Sequence, residues 1–501
     1  MKRVARLMFA LGVAACVTLG LVAGPALANS ARTQWEGVSA TGAIVAGSDV
    51  EGGACPIVVE RELLTFDIQE FPREYPDPSG SDTYDASVTA EYTFSNPADY
   101  AVSATLLFPF GKLPDYGPYP IEDNMAAAEA QRYGISVDGN PAESVVRHTL
   151  SYPYDAFDLE EDLALLLDGY VEDPFFTSNL PVTRFSYEIS GLPEDARTAT
   201  IGFRWTPSDG AKVLLVNQSG YQQLDDGEGS VMLRTWAENG LTVDVYVFGK
   251  APEGILAGLF ENSSCEAGVD GRITNVGNTT MTFEEFALQA WDEGGDVLAH
   301  DWYNAMVADL RFCEQGGDGV IMCDFVHGSG FDLTHMLMQW YEYELSFEPG
   351  QTLVNAVTAP LYPAINASYD PPIYGYSYLL SPASTWAEFG RLDVVVNTPF
   401  FMTGSQLDGV KGDVELGYPG ENAAGFEKVE GGYALSSEGL PDGELAFSLS
   451  AEEDPAKARN DYAISMGLMF GGMILAFVVV LGLIGLAIGF VVGRLLKRRR
   501  R

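Results

Sequence analysis

SVTAEYTFSNPADYAVSATLLFPF, residues 87–110, decides the fold class. Val88, Ala90, Tyr92 and Phe94 alternate with Ser87, Thr89, Glu91 and Thr93. Successive side chains of a strand point to opposite faces, so this period of two sets one face on a core and the other in water. Ser95-Asn96-Pro97-Ala98-Asp99 is turn chemistry, because Asn and Asp bond their own backbone and Pro fixes φ. The alternation resumes with Val102, Ala104, Leu106 and Phe108, and the two runs are expected to pair as antiparallel neighbours.

The same grammar recurs outward from that stretch. Phe185, Tyr187 and Ile189 precede a GLPEDA turn and then Ala199, Ile201, Phe203 and Trp205, a second expected pair. Val243, Val245 and Val247 mark a further strand, and WYEYELSF, QTLVNAVTA, YGYSYLL, RLDVVVNT and ELAFSLS follow in the last third. Helical patterns interrupt the strands at IEDNMAAAEAQRYG, DAFDLEEDLALLLDGY and WYNAMVADL. Thr282 and Glu285 have capping-box spacing ahead of FALQAW. The chain therefore reads as mainly β with helical insertions (α+β), an antiparallel β-sandwich ectodomain. Its length exceeds one ordinary core, so two domains are expected, an N-terminal β-sandwich over 55–250 and a second mostly β domain over 251–450 with a helical insertion at 281–335.

The two ends carry the topology. Residues 463–493 form an uncharged apolar run of 31 residues, followed by RLLKRRRR at 494–501. About 20 apolar residues suffice to cross a bilayer, and a basic cluster marks the cytoplasmic side. One C-terminal transmembrane helix with a cytoplasmic tail is expected, joined by a polar stalk at 451–462. Gly485, Gly489 and Gly493 recur every fourth residue, a spacing that lets two membrane helices pack and offers a route to a homodimer. At the other end, MKRVAR, an apolar run and Ala26/Ala28 make a signal peptide over 1–28, followed by a flexible leader over 29–54. Val13-Ala14-Ala15-Cys16 offers a competing reading as a lipid-attachment box. The expected location is the cell membrane, single-pass, with the N-terminal domain extracellular.

Charge and cysteine use bound the partners. Three of the 28 basic residues fall in the signal and six in the tail, leaving 19 against 70 acids in the ectodomain, a net of −51. Nucleic acid is excluded as a partner, since phosphate contacts need Lys and Arg. Beyond the membrane itself, the remaining partners are a protein or a glycan outside the cell. Cys55, Cys265, Cys313 and Cys323 remain once the signal is removed, an even number that suggests two disulfides. Cys313 with Cys323 across a short Gly-rich loop is the leading pair, which leaves Cys55 with Cys265; four reduced, buried thiols are the alternative.

No sequence pattern of a metalloprotease, a serine-nucleophile elbow or a phosphate-binding loop occurs, and only four histidines are present. No catalytic residue and no cofactor are expected. Asp225, Asp226 and Glu228 crowd a turn and are candidate calcium ligands, as is the 292–296 acidic turn, although neither matches an EF-hand loop. Trp291, Trp302, Trp340 and Tyr374-Gly375-Tyr376 are either a sugar or peptide platform or core packing. The leading reading is a non-enzymatic envelope or recognition protein; the alternative is an extracellular hydrolase acting on glycan or peptide through paired carboxylates.

VTAEYTFSNPADYAVSATLLFPF followed by ISVDGNPAE resembles the opening of VIT-type domains, named for vault and inter-alpha-trypsin proteins. The stretch from Trp340 to Thr352, with Tyr378-Leu379-Leu380 and Trp386, is similar to exported bacterial β-sandwich proteins of unknown function. The resemblance covers about residues 84–145 and 340–398 and implies a β-sandwich. It supplies no catalytic residues.

Overall fold

The computed structural model describes residues 55–72, 86–111, 134–150, 166, 168–207, 209–314, 319–322, 333–409 and 420–457, together with short strands within 27–45. The chain is mainly β, as its alternation requires. The transmembrane span at 463–493, with Gly485, Gly489 and Gly493, lies outside the described residues, as do most of the signal and the 121–133 helical pattern. Among the described residues no helix is long and apolar enough to cross a membrane.

The opening stretch forms both expected strands, Ser87–Ser95 and Val102–Gly111, but they do not pair with each other. Ser87–Ser95 lies between Val58–Asp67 and Thr352–Pro360. Val102–Gly111 lies between Leu337–Phe347 and Ala31–Gly37. The connection crosses from one sheet to another, and both strands send their alternate residues into one shared core. Six residues separate the strands, more than a tight hairpin uses. Buried Asn96 fixes the crossing. Its Nδ2 donates to the carbonyls of Tyr100 (2.9 Å) and Glu348 (3.1 Å), and its Oδ1 accepts from the Ala98 N–H at 3.1 Å. Its own N–H donates to the Gln351 carbonyl at 2.9 Å, tying this crossing to a second one between Leu337–Phe347 and Thr352–Pro360. Pro181–Ser190 and Thr200–Trp205 repeat the outcome: they belong to different sheets and share one core.

Two layered units result. The outer unit stacks an eight-stranded sheet on two smaller ones. Phe66 of Val58–Asp67 meets Tyr378 (6.0 Å) and Phe447 (5.1 Å), and Phe94 meets Phe347 (6.1 Å) and Trp386 (4.6 Å). This unit draws strands from both ends of the chain: Val58–Asp67 runs parallel to Glu388–Asn397. The central unit has three layers. A four-stranded sheet packs on a five-stranded one through Tyr187, Phe203 and their neighbours. The other face of the five-stranded sheet carries helices Phe283–Ala287 and Ala299–Cys313, with Phe248 against Phe286 at 4.9 Å. The capping box forms as spaced, Thr282 Oγ1 accepting from the Glu285 N–H and Glu285 accepting from the Thr282 N–H. The boundary expected at 250/251 falls inside this central unit, because strand pairing joins segments far apart in sequence rather than neighbours. Part of the expected flexible leader is also ordered: Ala31–Gly37 extends the sheet beside Val102–Gly111.

A register slip at Glu60 changes the parity of Val58–Asp67. Val59 points inward, Glu60 and Arg61 outward, then Glu62, Leu64 and Phe66 inward. Gly390 faces the slip, where an added Cβ would sit 2.3 Å from the Glu60 carbonyl oxygen. Glu62 is thereby buried and accepts from the Tyr378 hydroxyl at 3.2 Å, with the Tyr92 hydroxyl 3.2 Å from that of Tyr378.

The cysteines do not form the expected bridges. Cys265, half-buried on a turn of the central unit, carries a thiol whose pKa is raised by burial. Cys55 sits in the core of the outer unit, whereas Cys265 lies on the turn that follows Leu256–Phe260 in the central unit. The Cys313 thiol points at Asp309 Oδ2, 3.8 Å away, and the loop expected to be stapled by Cys313 and Cys323 is closed by the Met322 N–H on the Cys313 carbonyl at 3.2 Å. Cys323 lies outside the described residues.

Asn96 makes its hydrogen bonds in a buried site, so Asn96→Ala is expected to lower the unfolding free energy by about 1–3 kcal/mol, read as a lower urea midpoint with unchanged slope.

Candidate functional site

Two places carry chemistry that packing alone does not ask for. The first is a buried ion cluster where the two units meet. Val145–Leu150 is the edge strand of its sheet, and the helix Ala299–Cys313 lies along it. Asp301, in the first turn of that helix and 0% exposed, accepts the edge N–H of His148 at 2.9 Å. An acid there also suits the helix dipole. Arg147, 2% exposed, donates to both Asp301 oxygens (3.2 and 3.3 Å from Nε, 3.1 Å from Nη2). Its other end reaches Glu342 at 2.5 Å and Asp168 at 3.6 Å, and His300 Nε2 lies 3.3 Å from Nη2. Burial opposes the Arg147 charge, but Asp301 and Glu342 outweigh it and raise the pKa. His148 is the converse: burial pushes its pKa down to about 4 against the pull of Asp301 and Asp296. Its Nδ1 has no hydrogen-bond partner among the described residues. The arrangement clamps the units together through an Arg147–Asp301 pair shielded from water, with Glu342 and Asp168 reaching it from the exposed side.

The second is the outer face of the four-stranded sheet. Ile201, Phe203, Val231 and Leu233 point into the core. The opposite parity therefore faces out: Met232, Arg234 and Trp236 on one strand, Gly202 and Arg204 on the next, Leu256, Gly258 and Phe260 on the edge. Gly202 stands opposite both Arg234 and Gly258. A Cβ on Gly202 would sit 2.9 Å from both Met232 Sδ and Phe260 Cε2, so these side chains lean over the glycine from either side. Trp236 is 64% and Leu256 72% exposed. Arg204 stands between Met232 and Leu256 on this face and is paired to Asp226 at 2.7 Å. A gathered apolar face on a folded surface marks an interaction site more often than a scattered residue does. Its signal in the sequence is VMLRTW, where Met232 and Trp236 occupy the parity that solvent should have claimed.

The candidates read from sequence fall elsewhere. Asp226 is committed to its own turn: its Oδ1 accepts from the Glu228 N–H at 2.9 Å, its Oδ2 holds Arg204, and the Ser230 side chain and that backbone bond hold its pKa down at about 2. Glu228 also reaches Arg204, at 3.4 Å. Asp225 is exposed beside them. Asp226 and Glu228 thus pair with Arg204, and Asp226 also closes its own hairpin turn. Asp292 likewise caps its own turn through the Gly294 N–H at 2.9 Å. The aromatic platform is dispersed. Trp302 and Trp340 are buried and donate to Ala287 O (2.9 Å) and Thr149 Oγ1 (2.8 Å), Trp291 donates to Val297 O (2.8 Å), and Tyr376 lies in the core. Among the described residues no group of three or more His, Cys, Asp or Glu is placed to hold a metal.

No family model and no curated protein matches this chain. It is similar, at 8% identity, to a solved Legionella pneumophila structure described as a candidate nutrient-binding protein, over 86% of this chain and 72% of that one, with a TM-score of 0.28. A TM-score this low lies below what a shared fold gives.

Two outcomes follow from the buried cluster. Arg147→Met leaves Asp301 uncompensated and is expected to cost about 3–5 kcal/mol of stability in denaturant unfolding. His148 is neutral when folded, with its pKa lowered from 6.5 to about 4. The unfolded chain then binds more protons between those values, so this stability is present above pH 6.5 and is lost as pH falls towards 4. His148→Asn should flatten that part of the Tm-against-pH curve relative to the native chain.

Proposed function

We propose that this chain is a non-enzymatic recognition protein displayed at a cell surface, and that it meets its partner on the outer face of the four-stranded sheet. The observation that carries this reading is the set Met232, Trp236, Leu256 and Phe260 on one exposed sheet face, with Gly202 and Gly258 leaving room for the Met232 and Phe260 side chains to lie flat over the sheet. A flat apolar face with an exposed indole suits an apolar protein side chain or the CH face of a pyranose ring. The Arg204 and Arg234 side chains interleave with these residues, held by Asp226 and by the Ser263 carbonyl, and their remaining N–H groups can donate to hydroxyl or carbonyl oxygens. The signal-like N-terminus, the apolar span at 463–493 and the basic tail support an extracellular placement, with the described sheets forming a β-sandwich ectodomain on a single C-terminal helix.

Rigid aromatic anchors dominate binding energy at such faces, so Trp236→Ala and Leu256→Ser are each expected to weaken binding by about tenfold or more. The measurement is retention of the full-length protein on isolated native cell-envelope glycan and on envelope protein fractions, native chain against variants. Retention on glycan identifies a glycan partner, retention on protein a protein partner. Equal retention of native and variant chains on both would sink the assignment to this face. Glycan cleaved rather than held would favour the hydrolase reading instead.

A further inference from the structure

Arg272–Thr282 closes one side of the central five-stranded sheet. Pro181–Ser190 pairs with it on one side, and no described strand lies on the other. Apart from Ile273, every residue from Arg272 to Thr280 is exposed. None of the 11 residues is acidic, in a chain with 70 acids and a net charge of −42. Free edges attract other strands, and proteins usually blunt them with Lys, Pro or a bulge. Here Lys and Pro are both missing. A register slip at Val276 bends the strand once and leaves Gly277–Thr282 as a regular arm.

The direction of the free backbone groups on that arm follows from its neighbours. The Phe283 N–H donates to the Leu180 carbonyl at 2.8 Å, while the Pro181 carbonyl takes the Gly249 N–H at 2.8 Å on the opposite side. Residue pairs in an antiparallel ladder alternate between bonded and unbonded. Leu180 with Phe283 is bonded, so Val182 with Met281 and Arg184 with Thr279 are bonded too. Thr280 and Asn278 therefore aim their N–H and C=O groups away from the sheet.

We infer that two copies of this chain pair antiparallel along this edge, with each Thr280 facing the Thr280 of the other copy. A two-fold axis normal to the sheet keeps each face on its own side. Opposed residues share a face, so one residue must stand opposite itself. Thr280 meets that condition with its backbone groups turned outward, and the pair exchanges two N–H···O bonds. Asn278 donates to the other copy's Thr282 carbonyl, the Thr282 N–H being already given to Glu285 at 2.7 Å. Thr280 Oγ1 lies 3.2 Å from Thr183 Oγ1, so pairing extends that contact into one row of four threonines across both copies. Charge argues for a second copy as the occupant. Two such acidic chains repel over most of their surface, whereas along this strip the carboxylate at the edge is that of Glu285, held on the Thr282 N–H at one end and opposite Asn278 rather than another acid. The interface is short, so the pairing is reversible.

The test is site-specific cross-linking of the full chain in a Cys265→Ser background. Bonded antiparallel pairs hold their Cα atoms about 5.5 Å apart, within disulfide range. Under mild oxidation Thr280→Cys is expected to give a disulfide dimer at least about tenfold faster than Arg272→Cys, which lies on the same strand beyond the bend. Adding Asn278→Pro to Thr280→Cys removes an outward N–H and is expected to cut that rate by about tenfold, and Asn278→Asp should do the same by opposing charges. Equal rates at 272 and 280, as dimerisation through Gly485, Gly489 and Gly493 alone would give, overturn the inference. So does a Thr280→Cys chain that stays monomeric, or one indifferent to both changes at Asn278.

Discussion

The Asp301 carboxylate is the constraint on which the arrangement of the molecule turns. It takes the edge N–H of His148 and two donors of Arg147 with no access to water. A buried charge of this kind costs several kcal/mol to desolvate, and only a close counter-charge with full hydrogen bonding offsets it. Arg147 supplies that, and it also reaches Glu342 on the neighbouring strand. One ion cluster therefore covers a strand edge, seats the first turn of a helix and joins two units built from different parts of the chain. Such clusters fix geometry more than they add stability, because a packed apolar contact would cost less.

Much of the fold was legible in the period-two alternation. Ser87–Ser95, Val102–Gly111, Pro181–Ser190 and Thr200–Trp205 all form where Val88, Val102, Phe185 and Ile201 place them. The capping box was legible too, because Thr282 and Glu285 act locally. Pairing was not. Alternation reports that one face is buried and is silent about whether the next strand lies beside it or across the core. Asn96 decides that question through partners at Tyr100 and Glu348, and the second of these is 252 residues away in sequence. The sites were less legible for a related reason. Asp226 reads from its neighbours as a cation ligand, and its pairing with Arg204, on the strand Thr200–Trp205, is a contact that spacing does not report. Trp236 is not legible as a surface residue, because its exposure depends on the parity of its strand within the folded sheet.

Glu62 shows how much a single inserted residue changes. The slip at Glu60 brings Leu64 and Phe66 onto the core side and carries Glu62 in with them. Tyr378 and Tyr92 supply hydroxyls within a core otherwise built of apolar side chains. Burial, with the charge of Glu62 adding to it, raises the Tyr378 pKa well above its usual value, so the hydroxyl stays protonated and able to donate.

The crossings described for the outer unit bear on how the chain is made. A strand in a hairpin finds its neighbour within moments of leaving the ribosome. Val58–Asp67 has one such early neighbour in Ser87–Ser95, but its parallel neighbour Glu388–Asn397 emerges only after the whole central unit. The strands of the central unit, by contrast, are complete by Ile321. Synthesis thus builds the inside piece first, while the earliest strands wait with an apolar face uncovered. Long-range pairing of this sort is slow, and the waiting half-sheet is the species most in need of a chaperone.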